Sequence, residues 1–270
     1  MKRLFYLPIL IALLVACHPK PDHLTVLHTN DTHSQVEPTA VNDGGYARRM
    51  GVIQAERAAD PQLLLVDAGD FCQGTPYFNF YRGRVEIDAM NRMGYDAATL
   101  GNHEFDNGLD TLAMILRMAH FPIVCANYDV EGTPLEGIVQ DYCIAYKNGL
   151  KIGIFGLGVD PSGLIGDKNF GGIKFLDPYE TARKMIKVLR RKRCDLIICL
   201  SHMGTYRLDE ERAVSDALLA SQVKGIDLII GGHTHVVYDI KIPNPEGAEV
   251  PIRQMGKSGR FIGKIRLNLQ

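Results

Sequence analysis

Short apolar runs alternate with segments of helical spacing along most of this 270-residue chain, and that alternation constrains the fold more than any other feature. The runs lie at Leu24–His28, Leu63–Val66, Ala97–Leu100, Ile123–Ala126, Ile152–Gly156, Asp195–Leu200 and Asp227–Ile230. Apolar runs this short, bounded by turn residues, have the pattern of strands buried on both faces. Between them, residues 45–59, 86–93, 108–119, 178–193 and 209–222 place apolar side chains at helical intervals. Strand and helix in alternation predict an α/β fold with largely parallel strands. After Gly232 the texture changes, and Val237–Ile242, Val250–Met255 and Ile262–Leu269 predict antiparallel strands joined by Pro- and Gly-containing turns. No linker interrupts residues 23–270, which read as one domain.

Polar residues of one chemical kind follow these strands. The chain runs Asp31-Thr-His33, Asp67-Ala-Gly-Asp70, Gly101-Asn102-His103-Glu104, Ser201-His202 and Gly231-Gly232-His233-Thr-His235. Ligands of open α/β sheets bind outside the carboxyl ends of parallel strands, because neighbouring strands deliver their loops to one crevice there. Five of the nine histidines fall in these sets. Carboxylate, imidazole and amide oxygen together suit hard-to-intermediate divalent cations, and no cysteine joins them as in a structural zinc knot. Each set alone arises often by chance, as a tight turn or a hydrogen-bonded histidine. All five in order, each after a strand, point to two metals.

The sequence here resembles the calcineurin-like metallophosphoesterase superfamily, and within it the 5'-nucleotidase and UDP-sugar hydrolase family. Leu27-His-Thr-Asn-Asp-Thr-His33, Asp67-Ala-Gly-Asp-Phe-Cys-Gln-Gly-Thr75 and Leu100-Gly-Asn-His-Glu-Phe-Asp-Asn-Gly108 are similar to that family's signatures, and Phe121–Asn127 to its following strand. The resemblance implies a four-layer α/β/β/α sandwich with two central mixed sheets. It implies that Asp31, His33, Asp70 and His235 hold one divalent ion, and Asp70, Asn102, His202 and His233 a second, with Asp70 bridging. The metal could be Zn, Mn, Mg or Co. Two divalent cations against two carboxylates and one hydroxide leave a net positive site that attracts a phosphate ester. The same ions lower the pKa of bound water toward ~7 and so make a nucleophile at neutral pH. His103 and Asp106 match the family's catalytic dyad, although Asp106, or Asn107 as a rival, also reads as a helix N-cap. Glu104 has no ligand role in the family and is expected in a solvated or supporting position, while Asn30 and Asp67 are expected to orient loops.

The implied activity is hydrolysis of phosphate monoesters, most simply nucleotides. The same site also fits diesters such as UDP-sugars, and a metal-binding scaffold without turnover is the reading from another class. Two-domain members of the family take substrate contacts from a following domain, and here the chain stops at Gln270 directly after a closing strand. The expectation is therefore a catalytic domain whose substrate pocket is completed, if at all, by a separately encoded C-terminal domain. Substrate-binding residues stay unassigned; Arg48, Arg49 and Arg82 read equally as substrate contacts or helix-surface charges.

Lys2, Arg3 and the apolar run Leu4–Val15 have the pattern of a signal peptide, too short to span a bilayer. The run ends Leu14-Val-Ala-Cys17, similar to a bacterial lipobox. The expected division is a signal at 1–16, a tether at 17–22 from a lipidated Cys17, and the catalytic domain at 23–270. That places the protein in the bacterial envelope, on the periplasmic or extracellular face, with a lipid anchor as its only membrane contact. The remaining cysteines, at 72, 125, 143, 194 and 199, are odd in number and form no dense framework, so no essential disulfide is expected. With 30 basic and 31 acidic residues the chain has no basic stripe for nucleic-acid binding.

Overall fold

The computed structural model describes residues 23–205 and 214–268. The signal, the tether and Cys17 lie outside the described residues, as does part of the helix expected at 209–222.

Two six-stranded mixed sheets stack face to face. One runs in the order β14 (Gly263–Asn268), β1 (His23–Thr29), β2 (Leu64–Asp67), β3 (Ala97–Ala98), β4 (Ile123–Val124), β6 (Val139–Gln140). The other runs β12 (Val237–Pro243), β13 (Glu249–Met255), β11 (Leu228–Gly231), β10 (Leu196–Ser201), β8 (Leu150–Leu157), β7 (Tyr142–Lys147). A short antiparallel pair, β5 (Tyr128–Asp129) with β9 (Lys174–Phe175), lies apart. Within the sheets the strands that follow one another through helices are parallel: β1 with β2, β2 with β3, β3 with β4, β8 with β10, β10 with β11.

Three apolar clusters show the layering. Leu24, Val26, Leu64, Val66, Ile152, Ile154, Ile198, Leu200 and Ile230 fill the space between the sheets. Leu27, Leu65 and Ala98, on the other face of the first sheet, pack with Ile53 of α1 (Tyr46–Ala59), Ile87 and Met90 of α3 (Arg84–Met93), and Leu112 and Leu116 of α4 (Gly108–Leu116). Phe155, Ile197 and Ile229, on the outer face of the second, pack with Met185 and Leu189 of α6 (Pro178–Arg191) and Leu219 of α7 (Asp216–Gln222). This is the expected order of helices, sheet, sheet, helices. Strands apolar on both faces are what such a sandwich requires, because neither face of either sheet meets water over its centre.

The differences from expectation sit at edges. β7 was not expected, because an edge strand whose residues are half-exposed carries no continuous apolar run. α2 (Pro76–Tyr81) and α5 (Asp167–Phe170) are too short to show a period. The last three strands are not one antiparallel meander. β13 pairs antiparallel with β12 but parallel with β11, and β14 crosses to pair antiparallel with β1 in the other sheet. The five cysteines among the described residues are unpaired.

Candidate metal centre

The loops after β1, β2, β3, β10 and β11 meet at one end of the sandwich. Asp31, His33, Asp70 and His235 bring ligand atoms within 4.8 Å of one another. His33 Nε2 and His235 Nε2 lie 2.9 Å apart, His33 Nε2 is 3.9 Å from Asp70 Oδ2, and His235 Nε2 is 3.4 Å from Asp31 Oδ1. Beside them His202 Nε2 lies 3.1 Å from Asp70 Oδ2, and the Asn102 amide oxygen lies 3.1 Å from His233 Nδ1. All seven residues expected as ligands therefore share one cluster, with Asp70 against both groups.

The backbone is bent to make this convergence. Asp31, His33, Asp70, His233 and His235 all have φ between 46° and 74°, in the left-handed region that costs a non-glycine residue energy. Aspartate and histidine tolerate it better than most, and the surrounding hydrogen bonds hold it. Asp31 N–H donates to Gly69 O, His33 N–H to Asp70 O, and His233 N–H to both Asp31 carboxylate oxygens. Close approach also needs glycine. At Gly69, φ +90°, a Cβ would lie 2.6 Å from Gly101 N and 2.8 Å from His202 Nδ1. At Gly101 it would lie 2.2 Å from Asp70 Oδ1.

Supporting groups aim the donors. His202 Nδ1–H donates to Ala68 O at 2.7 Å, which turns Nε2 inward to within 3.1 Å of Asp70 Oδ2. A ring tied to a carbonyl through one nitrogen, with the other aimed among carboxylates that favour positive charge there, is the donor geometry of a metal ligand. The ring nitrogens of His33 and His235, 2.9 Å apart, share a proton as a hydrogen bond or turn together toward a cation. The residues present thus fit divalent metal. Burial alone lowers the pKa of His202, but Asp70 and Asp31 outweigh it and lift the ring to about 10. Burial raises Asp70, and the surrounding His202, His33 and His103 more than reverse this, holding it well below the usual carboxylate range. Burial pushes His233 down to about 4.

Glu104 was expected to be solvated or supporting; the structure buries it and makes it a tie between loops. Its Oε2 accepts from Asp70 N–H and Gly101 N–H, and its Oε1 from Cys72 N–H. Burial, then Asp70, raises its pKa to about 8. Asp67 accepts from Thr29 Oγ1 and Gly69 N–H, and Asn30 joins Asp31 to the strand end at Met255 and Gly256. Burial raises Asp67 to about 7. Arg49 is neither a surface charge nor at the mouth: it is 3% exposed, its guanidinium 5.0 Å from the Tyr46 ring centroid. Arg48 is exposed and bonds Asn42, and Arg82 is exposed at the end of α2.

His103 stands at the edge of the cluster, its ring centroid 5.4 Å from that of His33. Its Nδ1 lies 3.0 Å from Asp106 Oδ2, and that hydrogen bond raises its pKa against the effect of burial. Asp106 makes this contact instead of capping α4, whose N-cap is Asn107 with no side-chain bond. Both side chains are about a third exposed, as is His235, whereas Asp31, His33, Asp70 and His202 behind them are buried. A mouth of about 250 Å³ opens over His33, His103 and His235, and Gln73, Lys257 and Ser258 also line it. Lys257 and Ser258 escaped the sequence reading because they follow a different strand, β13, and carry no metal-type motif.

A two-sheet sandwich with acid, imidazole and amide donors gathered at its strand ends is the architecture of a metallophosphoesterase domain. Residues 24–237 match the calcineurin-like phosphoesterase family, and the chain belongs to it. It is 34% identical over 272 residues to the snake venom 5'-nucleotidase of Gloydius brevicauda, covering 90% of this chain and 45% of that protein. The crystal structure of the 5'-nucleotidase precursor from Thermus thermophilus superimposes with a TM-score of 0.83 at 35% identity, over 92% of this chain and 52% of that one. The calcineurin-like phosphoesterase YfkN from Bacillus subtilis gives 0.77 at 32% identity, over 92% and 85%. The chain spans about half the length of most of the curated 5'-nucleotidases it matches. Among the described residues no helix is long and apolar enough to cross a membrane.

Proposed function

We propose that this chain is a nucleotide phosphomonoesterase with two divalent cations, held by Asp31, His33, Asp70 and His235 and by Asp70, Asn102, His202 and His233. The observation that carries the reading is the convergence of seven donors from five loops with a histidine–carboxylate pair at their edge. Divalent cations held there supply Lewis acidity and make water acidic enough to attack phosphorus near neutral pH. His103 gives its Nδ1 proton to the bond with Asp106 and carries a second proton on Nε2. There it hydrogen-bonds the phosphoryl group and protonates the departing oxygen. Asp106 keeps the ring oriented and favours its charged form. Glu104 and Asp67 hold the loops so that Asp31 and Asp70 need not reorganise as charge grows. The same proposal makes residues 1–16 a signal, Cys17 a lipidated anchor in the bacterial envelope and 23–270 the catalytic domain.

Phosphate release from AMP and from an aryl phosphate, with Mn²⁺ or Zn²⁺ added, tests the reading; no release with any metal refutes it. His103→Ala is expected to lose turnover and keep its metal, whereas Asp70→Asn weakens both cation sites. Equal metal loss in the two variants contradicts this division of roles. Diester turnover measured beside it decides between mono- and diesters.

A further inference from the structure

The turn after β13 puts a cation at the mouth that the proposed chemistry does not use. Lys257 is exposed and lines the mouth with His33, His103 and His235. Its backbone is not free to wander. Gly256 N–H donates to Val236 O, Ser258 N–H to Asp31 O, and Arg260 N–H to Lys257 O. Asn30, whose amide also touches Asp31, accepts from Met255 N–H and donates to Gly256 O. The turn is thus fastened directly to the loop of the metal cluster, and the Lys257 Cα keeps a set place relative to Asp31.

The ammonium has no hydrogen-bond or ion-pair partner among the described residues. Nearby cations do: Arg260 pairs with Asp43 at 2.6 Å, and Arg48 donates to Asn42. Among the described residues no carboxylate lines the mouth; its other polar side chains there are His33, His103, His235, Gln35, Gln73 and Ser258. The acids of the cluster, Asp31 and Asp70, lie buried behind them and are occupied by histidine and backbone N–H groups. An ammonium on a long flexible stem, at a rim whose described residues include no acid, attracts anions that reach out of the mouth.

Resting on the phosphoesterase reading above, we propose that Lys257 forms an anion subsite for a second acidic group of the substrate, a phosphoryl or carboxylate close to the one being transferred. The chain therefore favours substrates that carry two neighbouring anionic groups, such as nucleoside diphosphates, whose terminal anhydride bond to phosphorus is the one broken, over simple monoesters. The donors behind the mouth address the transferred phosphoryl, and Lys257 addresses what extends beyond it.

Isothermal titration of the Mn²⁺-loaded full chain with methylenediphosphonate and with methylphosphonate tests this without turnover. Lys257→Ala is expected to weaken diphosphonate binding about tenfold, as loss of a charged hydrogen bond does. Methylphosphonate binding changes by less than about twofold, and Lys257→Arg restores the diphosphonate affinity because the charge returns. The difference shrinks in high salt, since an exposed charge is screened over about 10 Å. Equal weakening for both probes overturns the proposal, because Lys257 then touches only the transferred group. No change for either probe also overturns it and leaves an ordinary surface lysine. The two readings fail separately. Phosphate release from AMP without a probe difference refutes the subsite alone. A probe difference in a chain that hydrolyses nothing refutes the enzyme reading and keeps the subsite.

Discussion

Acid sensitivity is expected to come in good part from one buried histidine that touches no ligand. His28 lies on β1 and faces the second sheet, on the same side as Leu24 and Val26. It is fully buried, and neither ring nitrogen has a hydrogen-bond partner. Its neighbour across the ladder is Gly263, where a Cβ would fall 1.9 Å from His28 Nε2, so the ring fills the space a side chain there would take. Burial, then the charge of Arg253, lowers its pKa from 6.5 to about 3. The folded state therefore refuses a proton that the unfolded chain accepts below pH 6.5. Stability from this group is intact above the unfolded pKa and is lost as pH falls from 6.5 toward 3. At pH 4.5 the loss amounts to about 3 kcal/mol, two pH units at 1.36 kcal/mol each, and it approaches about 5 kcal/mol near pH 3. His28→Leu keeps the volume, removes the proton site and spares two unsatisfied nitrogens. Urea unfolding of both proteins in excess EDTA at pH 8.0 and 4.5 isolates the effect, because metal loss and all other titrations are common to both. The wild-type protein is expected to lose about 3 kcal/mol more than the variant across that interval. Parallel losses would refute the reasoning and mean that His28 is solvated or paired in the folded protein.

Other expectations concern the support of the site. Gly69→Ala puts a methyl group against Gly101 N at φ +90° and is expected to cost about 2 kcal/mol or more, read from the urea midpoint. Glu104→Gln replaces an acceptor by a donor facing backbone N–H groups, so metal titration is expected to show affinity about 10–100-fold weaker. Phe105→Ala removes a fully buried ring in edge contact with Tyr128 and Phe170, at a cost of about 3–5 kcal/mol in urea unfolding. It also loosens the turn between His103 and Asp106, so turnover falls with stability. Chelation is expected to lower the melting temperature and added metal to restore it, with about 4 kcal/mol of stabilisation when free metal is 1,000 times its Kd. A melting point that ignores chelation would mean the donors hold no ion.

Much of this was legible in the linear chain because parallel sheets impose a simple rule. A strand covered on both faces must be apolar throughout, so the runs at 24–28, 63–66 and 195–200 announced themselves, and the loop leaving such a strand lies at a ligand-binding edge. Where that rule weakens, so did the reading. β7 is half-exposed, α2 and α5 are shorter than two turns, and the direction of β13 depends on which strand lies beside it. Glu104 illustrates the limit at the site. Its place in Gly101-Asn-His-Glu104 says that it is near, but only the fold puts it under three N–H groups from two loops.

The sequence by itself determined the class of fold and the order in which acid, imidazole and amide residues follow its strands, since these follow from local pattern and from chemistry that few residue types can perform. Tertiary structure alone decided what each polar group faces. It made His28 a neutral buried imidazole, sealed Arg49 against Tyr46 and brought Lys257 to the mouth that His235 also lines. Those outcomes depend on burial and on partners far away in sequence, and desolvation and Coulomb energy are properties of the assembled surroundings that no single segment carries.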